Sequence, residues 1–241
     1  QNLLPSEVQL EKLSQIVEKF SDAEFEKIKK IESTTKHDVK AVEYYLREYV
    51  DESAWSWIHF ACTSEDINNI AYALMLKDAK RVAMTYLQDS IIGTLRQRAH
   101  EWKNMPMLSR THGQPATPTT MGKEFGVYVH RLDSICKRLE TVSISAKING
   151  ATGNYAVHSV AFPEIDWIDW SRQFIESLEL SWNPLTTQIE NHDYQSEMLD
   201  HISRMCSVLS DLCTDVWGYI SIGYFGQRLV AREVGSSTMP H

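Results

Sequence analysis

Arg110-Thr111-His112-Gly113-Gln114-Pro115 sets an imidazole between a guanidinium and a glycine-bearing turn. An imidazole ordinarily titrates near ~6.5, which suits proton transfer at neutral pH, so His112 is a candidate acid or base. Taken alone, the same residue equally fits a loop histidine held by a backbone carbonyl. Far along the chain, Val234-Gly235-Ser236-Ser237-Thr238-Met239-Pro240-His241 offers two adjacent serines after a glycine. In Thr63-Ser64-Glu65-Asp66 a hydroxyl precedes an acid by three residues, the signature of a helix start. Free N–H groups and a positive dipole end make such a start a cradle for phosphate or carboxylate, although a plain helix cap explains the same residues. Three further stretches, 34–38, 149–155 and 186–193, gather His, Thr, Asn, Gln and Asp beside turns. The glycines of 149–155 let bare backbone approach a ligand, or simply make a turn.

Long helices must position these loops. Met121, Phe125, Tyr128, Leu132, Ile135, Leu139 and Val142 alternate steps of four and three, which predicts a helix over about 118–147. Thr117 is its candidate cap and Pro118 lies in its first turn. Met198, Ile202, Met205, Leu209, Leu212, Val216 and Tyr219 predict a second over about 190–224, and a third is expected over about 65–102. Helices of this length run roughly 45 to 55 Å. Seams so long and regular indicate a bundle with partners beyond one chain. Shorter helices are expected before Asp51, with seams at Val8, Leu13 and Val17, then at Val39, Val42 and Leu46. The fold class is therefore all-α, with a small N-terminal helical domain over 1–52 and a long-helix bundle over 53–241.

With 241 residues and 43% hydrophobic content, the chain can bury a core. A formal charge of -8 argues against a nucleic-acid or anionic membrane surface, so any substrate phosphate must be met by a local pocket. Cys62, Cys136, Cys206 and Cys213 lack metal or redox spacing and read as buried reduced thiols. No apolar run reaches membrane-spanning length, and a cytoplasmic setting is expected.

The ordered pair formed by 110–115 and 235–240 resembles the signature pair of the fumarase and aspartase superfamily. Thr34-Thr35-Lys36-His37-Asp38, His59 to Asp66 and Thr186-Thr187-Gln188-Ile189-Glu190 are similar to its adenylosuccinate lyase branch, in the bacterial form. That resemblance implies elimination of fumarate from adenylosuccinate, and from the succinylated imidazole-carboxamide ribonucleotide, without metal or organic cofactor. It implies His112 as general acid and Ser236 as general base, with the loop's lysine due directly after His241. By position it gives Thr63 and Ser64 a carboxylate or phosphate, Gln188 the succinyl portion, and Lys36, His37 and Asp38 the nucleotide end. Thr111 and Asn154 are additional polar contacts, and His59 supports the Thr63-Ser64 turn. A homotetramer whose sites draw on three subunits, and a C-terminal helical domain beyond this chain, are also implied.

Lys36 stands where the branch often has asparagine, and the stretch between Tyr49 and Ile58 is shorter than the branch leads one to expect. An argininosuccinate lyase shares the serine loop and is the nearest alternative. The pairs His37-Asp38 and His192-Asp193 suggest a metal-dependent phosphohydrolase of the HD type, but neither has a second ligand at i+3 or i+4. An inactive structural bundle is the third alternative.

Overall fold

The computed structural model describes residues 6–226 together with 228, 230, 232, 234 and 238. Ser236 therefore lies outside the described residues. The chain divides into two compact units, Gln1–Lys80 with Ser143–Tyr194, and Arg81–Val142 with Gln195–His241.

The first unit opens on α1 (Glu7–Glu18), α2 (Asp22–Thr35) and α3 (Asp38–Arg47). Ser6 and Gln9 close a reciprocal capping box at the start of α1. His37 caps α3 by accepting from the Lys40 N–H at 3.2 Å. A 3₁₀ turn, Glu52–Trp57, leads toward α4 (Ser64–Tyr86). Two short strands, β3 (Ser145–Ala146) and β4 (Ser181–Trp182), pair in parallel, and α7 (Ala156–Ala161) and α8 (Trp167–Ser177) lie between them in sequence.

The second unit takes up the end of α4, a π-helical segment Leu87–Ile92 and α5 (Gly93–Glu101). The helix expected over 65–102 is thus one continuous helical run carrying a π segment, a register change that often marks a local constraint. Its other elements are β1 (Pro106–Thr111), β2 (Gln114–Thr120), α6 (Met121–Thr141) and α9, which spans Asp193–Ser221. The close approach of α5 to α6 rests on Gly122, where a Cβ would stand 2.3 Å from the Ala99 carbonyl oxygen.

Both predicted helices form, with the α6 seam buried throughout and the α9 seam buried at Met198 and Met205 but exposed at Ile202, and α6 starts three residues later than expected. Residues 114–120 pair as a strand with 106–111, Pro118 opposite Leu108, and Thr120 rather than Thr117 caps α6, accepting from the Lys123 N–H at 3.2 Å. Gln114 and Thr117 each precede a proline, which pushes both toward extended backbone and away from a helical start. At its other end α6 stops at Thr141, because Ile144, Ala146 and Ile148 are buried from an extended segment instead. The all-helical class therefore holds, with one β-hairpin and one minimal strand pair among the described residues. The cysteines divide: Cys136 is buried and Cys62 partly so, while Cys206 and Cys213 are exposed on α9, contrary to the expectation of four buried thiols. Among the described residues no helix is long and apolar enough to cross a membrane.

Candidate active site

Asp66, in the first turn of α4, is fully buried and saturated with donors. Its Oδ1 accepts from Lys147 Nζ at 2.8 Å and the Asn149 N–H at 3.1 Å. Its Oδ2 accepts from the Thr63 N–H at 2.8 Å and the Gly150 N–H at 3.2 Å. Lys147 is equally buried, so the two charges neutralise each other out of reach of water. One turn along, Asn69 accepts from the Lys147 N–H at 2.8 Å and donates to the Lys147 carbonyl at 3.0 Å, pairing its amide with that backbone as a strand would. These bonds lock the start of α4 against 147–150 and leave Thr63 and Ser64 only partly covered.

Neutral donors gather around that helix start. His37 Nδ1 accepts from the Lys40 backbone, which leaves the ring proton on Nε2, 3.3 Å from Ser64 Oγ. Gln188 Nε2 donates to Thr63 Oγ1 at 3.4 Å. Asp38 accepts from Asn68 Nδ2 at 3.2 Å. The hydrogen bond from the Val39 N–H is the main cause holding the Asp38 carboxyl below its ordinary pKa, helped by Asn68 and His37 and opposed by burial. Two hydroxyls, an imidazole nitrogen and a carboxamide thus gather at the N-terminal end of a 23-residue helix, with the Asp38 and Glu65 carboxylates beside them. The hydroxyls, carboxamide and positive end of the helix dipole can hold an oxyanion.

In the second unit, Thr111 pairs with Gln114 across a two-residue hairpin turn. His112 (φ 53°) and Gly113 (φ 73°) are both left-handed, as a type I′ turn requires. Histidine is among the side chains that tolerate this region best. The imidazole therefore projects from the tip of a rigid ribbon, exposed, and Arg110 braces the turn by donating to the Gly113 carbonyl at 3.3 Å.

The family model described as "Lyase" matches residues 6–241. The chain belongs to this lyase family. It is 50% identical over 235 residues to the adenylosuccinate lyase of Vibrio cholerae, with 95% of this chain and 52% of that protein covered. For the adenylosuccinate lyase of Escherichia coli K12 the figures are 50%, 95% and 51%, and for that of Haemophilus influenzae 48%, 95% and 51%. The chain spans about half the length of the curated relatives it matches. In fold it is similar to a fumarate lyase from Mesorhizobium sp. BNC1, with a TM-score of 0.74 at 22% identity, over 89% of this chain and 49% of that one.

Within this family member the contacts join His37, Asp38, Thr63, Ser64 and Gln188 around the start of α4. Lys36 is exposed beside them, ending α2 in a left-handed conformation. Asn154 accepts from Thr152 Oγ1 and the Ala156 N–H, and so is occupied in shaping its own turn. Gly153 in that turn brings its backbone close to protein rather than leaving it open: a Cβ there would lie 2.2 Å from the Thr186 carbonyl oxygen. Asn69 and Lys147 receive no role from the sequence, and Glu65, Glu190 and His192 appear there only as members of motifs, without the contacts they make. The one available signal is the alternation of Ile144, Ala146 and Ile148, a strand period around a lysine. Among the described residues no group of three or more His, Cys, Asp or Glu stands ready for a metal ion.

His158 is buried behind the Gly150 turn, packed edge-on against Trp167, and its Nδ1 has no hydrogen-bond partner among the described residues. Burial holds its pKa below the ordinary value, partly offset by Asp66. The unfolded chain thus takes up a proton near pH ~6.5 that the folded state refuses. His158's contribution to stability is complete above that pH and lost as pH falls toward the lower folded value. Urea midpoints are expected to fall more steeply between about pH 7.5 and about pH 5.5 for the natural protein than for His158→Gln, and equal slopes would remove this reading.

Proposed function

We propose that the protein carrying this chain is an adenylosuccinate lyase, which eliminates fumarate from adenylosuccinate to give AMP. It acts likewise on the succinylated imidazole-carboxamide ribonucleotide of purine synthesis. The observation that carries this reading is 50% identity to curated adenylosuccinate lyases across 95% of the chain. The donor cluster at the start of α4 supports it, because a substrate bearing two carboxylates and a phosphate needs oxyanion sites in a chain of net charge -8.

In the reaction, Ser236 removes the proton beside a succinyl carboxylate. The C–H electrons form the new double bond while the C–N bond breaks, and His112 supplies a proton to the departing nitrogen. A serine hydroxyl is a very weak acid, and each pKa unit of tuning represents about 1.4 kcal/mol. The alkoxide must therefore be stabilised by loop N–H donors and by the lysine that the family's loop carries next. Thr63 and Ser64 hold a carboxylate or phosphate, Gln188 the succinyl portion, and Lys36, His37 and Asp38 the nucleotide end, with Thr111 and Asn154 as further polar contacts. His112 presents its ring on a braced ribbon, which suits an acid that must meet a substrate held elsewhere.

The reading includes a cytoplasmic homotetramer with sites shared between subunits, and a division into a 1–52 helical domain and a 53–241 bundle domain. Exposed apolar side chains on α9, Leu199, Ile202, Trp217 and Ile220, support further helix packing against other copies. Full-length protein supplied with adenylosuccinate or argininosuccinate in parallel, with fumarate measured, tests the assignment. Release from adenylosuccinate alone is expected; release from argininosuccinate alone would move the protein to that sister enzyme.

A further inference from the structure

Three contacts tie the 186–192 segment to the first turn of α4, and two of them meet at one carboxylate oxygen. Besides the Gln188 bond to Thr63, the Glu190 N–H donates to Glu65 Oε1 at 3.3 Å. His192 Nε2 stands 3.4 Å from the same Oε1. The opposite ring nitrogen, Nδ1, lies 3.4 Å from Glu190 Oε2. Glu190 is itself buried and anchored, accepting from Asn183 Nδ2 at 2.9 Å and Ser145 Oγ at 3.4 Å. His192 thus bridges a fixed interior carboxylate to a half-covered one on α4. It does so from a left-handed backbone, φ 58°, with its own N–H donating to Glu190. A non-glycine residue held there costs free energy, so the surrounding bonds must over-determine it.

We infer that His192 is a positioning residue: by bridging Glu190 to Glu65 it fixes the separation of Gln188 from the Thr63 and Ser64 hydroxyls, and with it the grip on the dicarboxylate end of the substrate. The inference rests on the lyase reading above. Its effect falls on binding rather than on proton transfer, since the two ring nitrogens lie beside the Glu65 and Glu190 carboxylates.

The test uses steady-state kinetics of the full-length protein with adenylosuccinate. His192→Ala is expected to raise KM about five- to tenfold while kcat changes about twofold or less, the signature of binding lost equally from the ground and transition states. The thermal midpoint should stay near that of the natural protein, which a merely structural role would not allow. A glutamine amide reaches about as far as Nε2 and restores the bond to Glu65, whereas an asparagine amide reaches only the Nδ1 position. His192→Gln should therefore return KM to within about twofold of normal, and His192→Asn should not. An unchanged KM in His192→Ala, or equal rescue by Gln and Asn, overturns the inference. If the alanine variant fails to fold, the Gln and Asn pair decides alone. A natural protein that releases no fumarate instead sinks the lyase reading, and this inference with it.

Discussion

Ser236→Ala in the full-length protein is expected to lower kcat for fumarate release by about 10²- to 10⁴-fold, and His112→Ala by a similar factor, with substrate still bound. In the proposed mechanism both residues act on protons that move in the transition state, so kcat and kcat/KM should fall together while KM changes little. If the two act as a unit on one elimination, the double variant should lose far less than the product of the single losses. His112 lends itself to a clean experiment. It is exposed at a hairpin tip whose register is set by backbone pairing and by the Arg110 contact to Gly113, so its removal should leave the thermal midpoint unchanged. Turnover within about threefold of normal in either variant would withdraw the role assigned to that residue.

A comparably large effect is expected from a residue that touches no substrate. Asp66→Ala removes the acceptor of four donors and strands the Lys147 ammonium in the interior. Breaking a buried pair by deleting one partner costs about 3–5 kcal/mol, a large share of the roughly 5–15 kcal/mol that holds a domain folded. Asp66→Ala/Lys147→Ala should cost less than the sum of the single losses, because the stranded charge is gone. It should still destabilise, since the Thr63, Asn149 and Gly150 N–H groups keep no carboxylate partner. Urea midpoints of the single and double variants measure this coupling directly. A loss below about 1 kcal/mol for Asp66→Ala would mean that water reaches this pair and that α4 is held by other contacts.

The sequence carries the helical seams openly. The three- and four-residue steps of α6 survive in the structure because they withdraw one continuous stripe from water, a signal that depends on no distant residue, while the α9 steps are buried at Met198 and Met205 and exposed at Ile202. The start of α4 is legible for the same reason, since Thr63 and Asp66 sit one turn apart. What Asp66 does is not legible. Its remaining partners come from 147–150, and a lysine is so seldom buried that the strand period from Ile144 to Ile148 marks its neighbours as core but not Lys147 itself. The hairpin is hidden differently. Thr117-Pro118 has the form of a helix start, yet the restraint that each proline places on the preceding residue, with pairing to 106–111, favours the extended form. At the site, His37, Thr63, Ser64 and Gln188 are recognisable by type and spacing, whereas Glu65, Glu190 and His192 matter only through one another.

The proposed elimination of fumarate by paired proton transfer requires no bound metal. Fumarate release from adenylosuccinate by full-length protein, measured after exhaustive chelation, tests it most directly. Turnover at the untreated rate is the predicted result. No fumarate from adenylosuccinate, or a reaction that dies on chelation and returns with a divalent metal, would contradict it.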